Sequence, residues 1–151
     1  MEEKSYKGIK GWMVVLIINL ILFGFVYING ITNLILSNYA PVRDWGYAGY
    51  LLDAGKWFSL ISEVVLLLVL LCLFFLIASK KALFKPWCII FFILVFCFKL
   101  ILSIMIFQVT PAPPFWVLQQ SIAYVVNTGV LALLWIAYLI RSKRVAQTFT
   151  K

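Results

Sequence analysis

The chain has 151 residues, of which 65% are hydrophobic and 12% charged, and its 13 basic against 5 acidic residues give a formal net charge of +8. A soluble domain of this size has no interior large enough to hide so much apolar surface, whereas a bilayer solvates it. The basic residues flank apolar runs and form no domain of their own, which sets nucleic-acid binding aside, and the absence of histidine removes the commonest general base and metal ligand.

The opening segment, Met1 to Gly11, is short, polar and basic, with Lys4, Lys7 and Lys10. The apolar run behind it is too long for a signal peptide and has no small-x-small cleavage site, so it reads as a tail entering a retained helix. The first membrane helix is expected over residues 12–31, with Trp12 as an interfacial anchor and Gly24 and Gly30 allowing close approach of a neighbour. Asn19 is the strongly polar residue of its inner half.

Residues 32–57 are irregular, with Pro41, Gly46, Gly49 and Gly55 among charges that cancel. They read as an outer, aromatic-rich loop along the headgroup layer, with Tyr39, Trp45, Tyr47 and Tyr50 at the interface and a short helix over 47–53. An external recognition loop is the functional alternative.

The second helix is expected over residues 58–78, with Glu63 in its second turn. A basic turn follows, with Lys80, Lys81 and Lys85. Pro86 suits the first turn of the next helix, where its missing N–H costs nothing. The third helix is expected over residues 87–109 and carries Lys99 within an otherwise apolar run. The proline-rich segment 110–114 cannot continue a helix and forms a rigid outer turn.

The fourth helix is expected over residues 115–140. Gln120, Tyr124 and Asn127 recur at helical spacing and share one face. The chain closes on a basic tail with Arg141, Lys143, Arg144 and Lys151. The three cysteines, Cys72, Cys88 and Cys97, all fall in apolar segments with no CxxC spacing, so they read as small apolar filler rather than as disulfide or metal ligands.

The fold class is therefore all-α: a single polytopic domain, residues 1–151, forming a four-helix transmembrane bundle. Ten basic residues lie in the two tails and the middle turn; only Arg43 and Lys56 lie in the connections on the other side. The positive-inside rule then places both termini in the cytoplasm. Short connections make helices two, three and four antiparallel neighbours.

Glu63 and Lys99 are the one acid and the one base inside the expected spans. An unpaired charge at that depth costs about 2.5–3.5 kcal/mol, so the two are expected to pair. Gln120, Tyr124 and Asn127 sit at comparable depth, and the five residues form a candidate polar cluster in the outer half of the membrane. Nothing in the chain resembles a zinc-peptidase, phosphate-binding or serine-triad motif, and no cofactor or metal is expected. Two classes remain. One is a non-enzymatic binding or accessory protein, engaging membrane lipids, a peptide, a small ligand or a protein partner. The other is a carrier or channel subunit with an outward-facing polar pocket around Glu63 and Lys99.

Two segments carry a resemblance. Lys7-Gly8-Ile9-Lys10-Gly11-Trp12 enters the first helix, and the stretch from Trp135 to Phe149, with Ser142-Lys143-Arg144-Val145 and Thr148-Phe149, leaves the last. Together they resemble a widespread bacterial family of small four-helix integral membrane proteins classed as a domain of unknown function. An acidic residue early in the second helix, here Glu63, fits that family; the resemblance does not extend to Lys99. It implies a bacterial cytoplasmic (inner) membrane location and no particular activity.

Overall fold

A computed structural model describes residues 11–36, 46–109 and 115–149. Five helices occupy them: α1 (Trp12–Leu36), α2 (Gly46–Ala78), α3 (Phe84–Val109), α4 (Phe115–Arg141) and the short α5 (Lys143–Thr148). Among the described residues there is no strand. The first four helices each contain a stretch long and apolar enough to cross a bilayer, namely Trp12–Leu36, Ala54–Ala78, Phe84–Met105 and Ser121–Arg141. At most 28% of the most apolar window in any of them is buried against protein. Large apolar side chains such as Phe25, Leu133 and Phe75 point outward. In water such a surface would drive aggregation; in lipid tails it is solvated. The protein is a multi-pass membrane protein.

Each helix packs mainly on its neighbour in sequence, α1 on α2, α2 on α3 and α3 on α4. The buried stripe of α1, Met13, Leu16, Leu20 and Tyr27, keeps the spacing of one helical face. It meets Leu66, Leu70 and Leu73 of α2 and Phe84, Cys88, Phe91, Phe92 and Val95 of α3 in one continuous core. Aromatic rings tie α1 to α3 and α3 to α4. Phe23 of α1 sits 5.8 Å from Phe91 and 6.3 Å from Phe92, both edge-on, and Phe92 stacks on Trp135 of α4 at 6.4 Å.

Several boundaries differ from the sequence expectation. The interval 32–57, expected as an outer loop, is helical wherever it is described: residues 32–36 prolong α1, and residues 46–57 open α2. Gly46 and Gly49 suggested turns, but a glycine costs a helix only about 1 kcal/mol. Adding turns to the long apolar helix that follows needs no new nucleus. At 33 residues α2 is about 50 Å long, well beyond the hydrocarbon layer, so its first turns reach past the membrane. Tyr47 and Tyr50 belong to those turns, whereas Tyr39 and Trp45 lie outside the described residues. Helix α3 begins at Phe84 rather than at residue 87, with Pro86 inside its first turn. Helix α4 runs one residue further than expected, to Arg141.

The turn between α2 and α3 closes by helix-end chemistry. The Lys81 N–H donates to the carbonyl of Leu76 and the Lys80 N–H to that of Ile77, both at 3.2 Å, while Lys80 takes a left-handed φ of 51°. This is the Schellman arrangement, with a lysine where glycine is usual. At the same end of the bundle, Lys85 Nζ donates to the carbonyl of Ile140 at 3.4 Å. A cation from the start of α3 thus meets the negative end of the α4 dipole.

Candidate functional site

The polar centre of the bundle is built from α1, α2, α3 and α4. Lys99 Nζ of α3 lies 4.0 Å from Glu63 Oε1 of α2, and both side chains are nearly buried. The separation suits an ion pair but is too long for a hydrogen bond. Lys99 Nζ also lies 5.4 Å from the ring centroid of Tyr124 on α4, within cation–π range. Two partners of different kinds therefore stabilise the ammonium: the carboxylate by charge and the ring by its quadrupole.

Helix α1 contributes what the sequence left unassigned. Gly30 faces Glu63 so closely that a Cβ there would overlap the carboxylate, meeting its Oε2, Cδ and Oε1. The missing side chain is what lets the acid enter the α1–α2 contact. One turn earlier, Tyr27 is 2% exposed and within electrostatic reach of both Tyr124 and Glu63. The Tyr27 hydroxyl and Glu63 Oε2 are each buried without a hydrogen-bond partner among the described residues. The cluster thus holds one unused donor and one unused acceptor within a charge-neutral pair. Ser103, one turn beyond Lys99 on α3, is also buried.

Three other hydroxyls in the spans are satisfied locally. The hydroxyls of Thr32, Ser62 and Thr128 donate to the carbonyls of Ile28, Ser59 and Tyr124, each at 2.8 Å. Such back-bonding consumes the donor that a bare hydroxyl would offer in lipid. Ser62, although adjacent to Glu63 and buried, therefore does not spend its proton on the pair. Asn127 stands exposed on α4, off the buried stripe that runs through Ala132, Trp135 and Leu139. The backbone of Gln120 lies in α4, and its side chain is outside the described atoms. Of the five residues singled out by sequence, the structure brings together Glu63, Lys99 and Tyr124, and it adds Tyr27 and Gly30. The heptad-like spacing of Met13, Leu16, Leu20 and Tyr27 is the signal that would have placed Tyr27 on the inward face.

Toward the end where α3 begins and α4 finishes, the cluster is closed by rings. Tyr27 stacks on Phe23 at 5.8 Å, Phe91 lies 6.4 Å from Tyr27, and Phe92 and Trp135 complete the layer. Below them the core is aliphatic and aromatic throughout, with Met13, Leu16, Leu73, Phe84 and Leu139 fully buried. The cysteines are free, Cys88 buried in this layer and Cys72 and Cys97 exposed on the outer surface of the bundle.

A family model for proteins of unknown function matches residues 6–150. The chain belongs to DUF2569. No curated protein and no solved structure matches it. In this DUF2569 chain the tail that carried the resemblance has a structural task. Ser142 caps α5 by accepting from the Val145 N–H at 3.3 Å. Val145 and Phe149, one turn apart, are both buried, and Phe149 stacks on Phe84 at 4.3 Å. The expected basic tail is therefore a capped amphipathic turn that folds back and plugs the end of the bundle.

Proposed function

We propose that this DUF2569 protein is a non-enzymatic binding or accessory protein of the bacterial cytoplasmic membrane, with both ends of the chain in the cytoplasm. The observation that carries the reading is the ring layer of Phe23, Tyr27, Phe91, Phe92 and Trp135 between the Glu63–Lys99 pair and one end of the bundle. A route for ions or polar solutes needs hydrophilic groups or water along its whole length. Here one half of the bundle is packed with apolar side chains. Enzymatic work is also poorly served: an acid, an ammonium and two phenols can share a proton, but among the described residues no activated nucleophile stands beside them. The orientation is supported by Lys80, Lys81, Lys85 and Arg141, which lie at the same end of the bundle.

The carrier or channel-subunit reading is favoured by one observation, the unused Tyr27 hydroxyl and Glu63 Oε2 beside the pair. A flux assay separates the two. The purified chain in sealed vesicles should give no ion or solute flux above protein-free vesicles, and Lys99→Leu should leave that baseline unchanged. Reproducible flux abolished by Lys99→Leu would overturn the binding reading. Purification from native membranes in polymer-bounded discs, followed by identification of retained molecules, should yield a lipid, small-molecule or protein partner.

A further inference from the structure

Among the described residues, the buried side-chain atoms without a hydrogen-bond partner are Asn19 Oδ1, the Tyr27 hydroxyl, Glu63 Oε2, the Trp135 indole nitrogen and the Thr148 hydroxyl. Tyr27 and Glu63 belong to the polar centre, and Thr148 to the tail plug. That leaves one acceptor on α1, Asn19 Oδ1, and one donor on α4, the Trp135 N–H. Water does not reach either atom, and an unpaired polar atom in an apolar interior is costly. Carbonyls along the neighbouring spans are taken up by their own helices. Each atom therefore lacks what the other supplies.

The chain brings the two to the same place. Trp12, Asn19 and Phe23 are spaced i, i+7 and i+11 and share one face of α1. Trp12 lines a crevice of about 420 Å³ between α1 and α4, together with Leu131, Leu134, Trp135 and Tyr138. Phe23 lies 6.3 Å from Phe92, and Phe92 stacks on Trp135 at 6.4 Å. Both neighbours of Asn19 on that face are thus close to Trp135. Asn19 stands between them, about 10 Å along the axis from Trp12 and about 6 Å from Phe23. Apart from Asn19, the stretch from Met13 to Phe23 is wholly apolar. The indole N–H is enclosed by protein and does not open into the crevice, so its acceptor has to come from the facing helix.

What keeps donor from acceptor is the seam between the two helices. The close packing runs α1 on α2, α2 on α3 and α3 on α4, and α1 is not closely packed on α4. The crevice is the space that this leaves. We infer that Asn19 and Trp135 are the two halves of a latch that closes the α1–α4 seam, which this structure holds open. In the closed form the start of α1 swings toward α4 and the Trp135 N–H donates to Asn19 Oδ1. Trp12 then folds against Leu131, Leu134 and Tyr138, and the crevice disappears. Phe92 touches a ring on each helix, so it fixes one edge of the seam and the movement is largest at Trp12. A single hydrogen bond between membrane helices is weak enough to leave both forms populated, as a two-state element requires. The latch goes beyond the binding reading and does not depend on it.

The test uses the full chain in lipid nanodiscs with isotope-labelled tryptophan, the indole N–H signals being read by NMR. Trp135→Phe keeps a ring against Phe92 and assigns the Trp135 signal by its loss. In the wild type that N–H should exchange slowly with deuterium. Asn19→Leu should move the Trp135 signal, leave those of Trp57 and Trp87 in place, and speed exchange about threefold or more. Asn19→Gln, which restores an amide acceptor, should recover part of the protection. Closure is read separately by disulfide formation between cysteines at positions 12 and 138, in a chain whose three native cysteines are replaced by alanine. Asn19→Leu and Trp135→Phe should each slow it about threefold, and the double variant should be no slower than either. An unchanged Trp135 signal and exchange rate in Asn19→Leu would overturn the inference. So would cross-linking that ignores both substitutions, or slowing that adds in the double variant. Each single variant removes one half of the bond, so the cross-linking comparison stands if either fails to fold.

Discussion

Gly30 on α1 sits where a side chain would overlap the carboxylate of Glu63 on α2. The glycine and the acid are two halves of one feature: the first removes bulk so that the second can be buried between helices. Gly30→Ala should therefore displace Glu63 and cost about 1–3 kcal/mol, the usual range for overpacking. At Gly55 a Cβ meets nothing within 4 Å, so Gly55→Ala should gain up to about 1 kcal/mol from helix propensity. Denaturation in detergent, compared across the two variants, checks the sign difference. Equal stability of both would place Glu63 elsewhere.

Glu63 and Lys99 should be energetically coupled. Glu63→Leu strands an ammonium and Lys99→Leu strands a carboxylate, each at a cost of about 2–4 kcal/mol. The double variant should cost less than the sum by about 1–3 kcal/mol, because both buried charges vanish together. A simply additive double variant would mean that Lys99 is satisfied by Tyr124 and water instead.

The tail plug should be separable from the spans. Phe149→Ala loses the stack on Phe84 and should cost about 3 kcal/mol locally; Ser142→Ala, which removes the cap, should cost about 1 kcal/mol. Limited trypsin digestion reads the opening, since Lys143 and Arg144 lie within α5. Cleavage there should accelerate in both variants while the spans stay intact. Unchanged cleavage rates would show that α5 is not held by these contacts.

Lys80 adopts a left-handed conformation that costs a non-glycine residue about 1–2 kcal/mol. Its charge near the end of α2 returns about 0.3–1 kcal/mol through the helix dipole. Lys80→Gly should therefore stabilise the protein slightly, by less than about 1.5 kcal/mol, and Lys80→Ala should give a smaller gain or none. Thermal unfolding of the three proteins in one detergent decides it.

Orientation is testable by labelling single cysteines in sealed cells. Cysteines placed at Lys81 and Arg144 should resist an impermeant reagent, and cysteines at Asp44 and Pro113 should react with it. Labelling of the Lys81 position from outside would reverse the proposed orientation.

The four spans could be read from the chain because lipid imposes a long unbroken apolar run, a constraint visible in one dimension. Glu63 and Lys99 stand out for the same reason, since a charge in such a run is expensive. What escaped notice depends on neighbours in three dimensions. Tyr27 looks like any membrane tyrosine until α3 places Phe91 against it and α2 brings Glu63 within reach. Gly30 was legible as a point of close approach but not as the socket of a particular acid. The early start of α2 was hidden by glycines whose small individual cost is outweighed by the helix they join. The tail helix is too short to announce itself by periodicity. A capping serine followed by Val145 and Phe149 one turn apart was its only trace.

Because each helix packs mainly on the one before it, the bundle can be assembled in the order in which it is synthesised. Glu63 is already in place when Lys99 arrives on the next helix, so the lysine enters beside a counter-charge and need not cross the translocation machinery as a lone cation. A circular permutant beginning between α2 and α3 would break that sequence of events while leaving every final contact available. Its yield in membranes would then report on the order of insertion rather than on the stability of the finished fold.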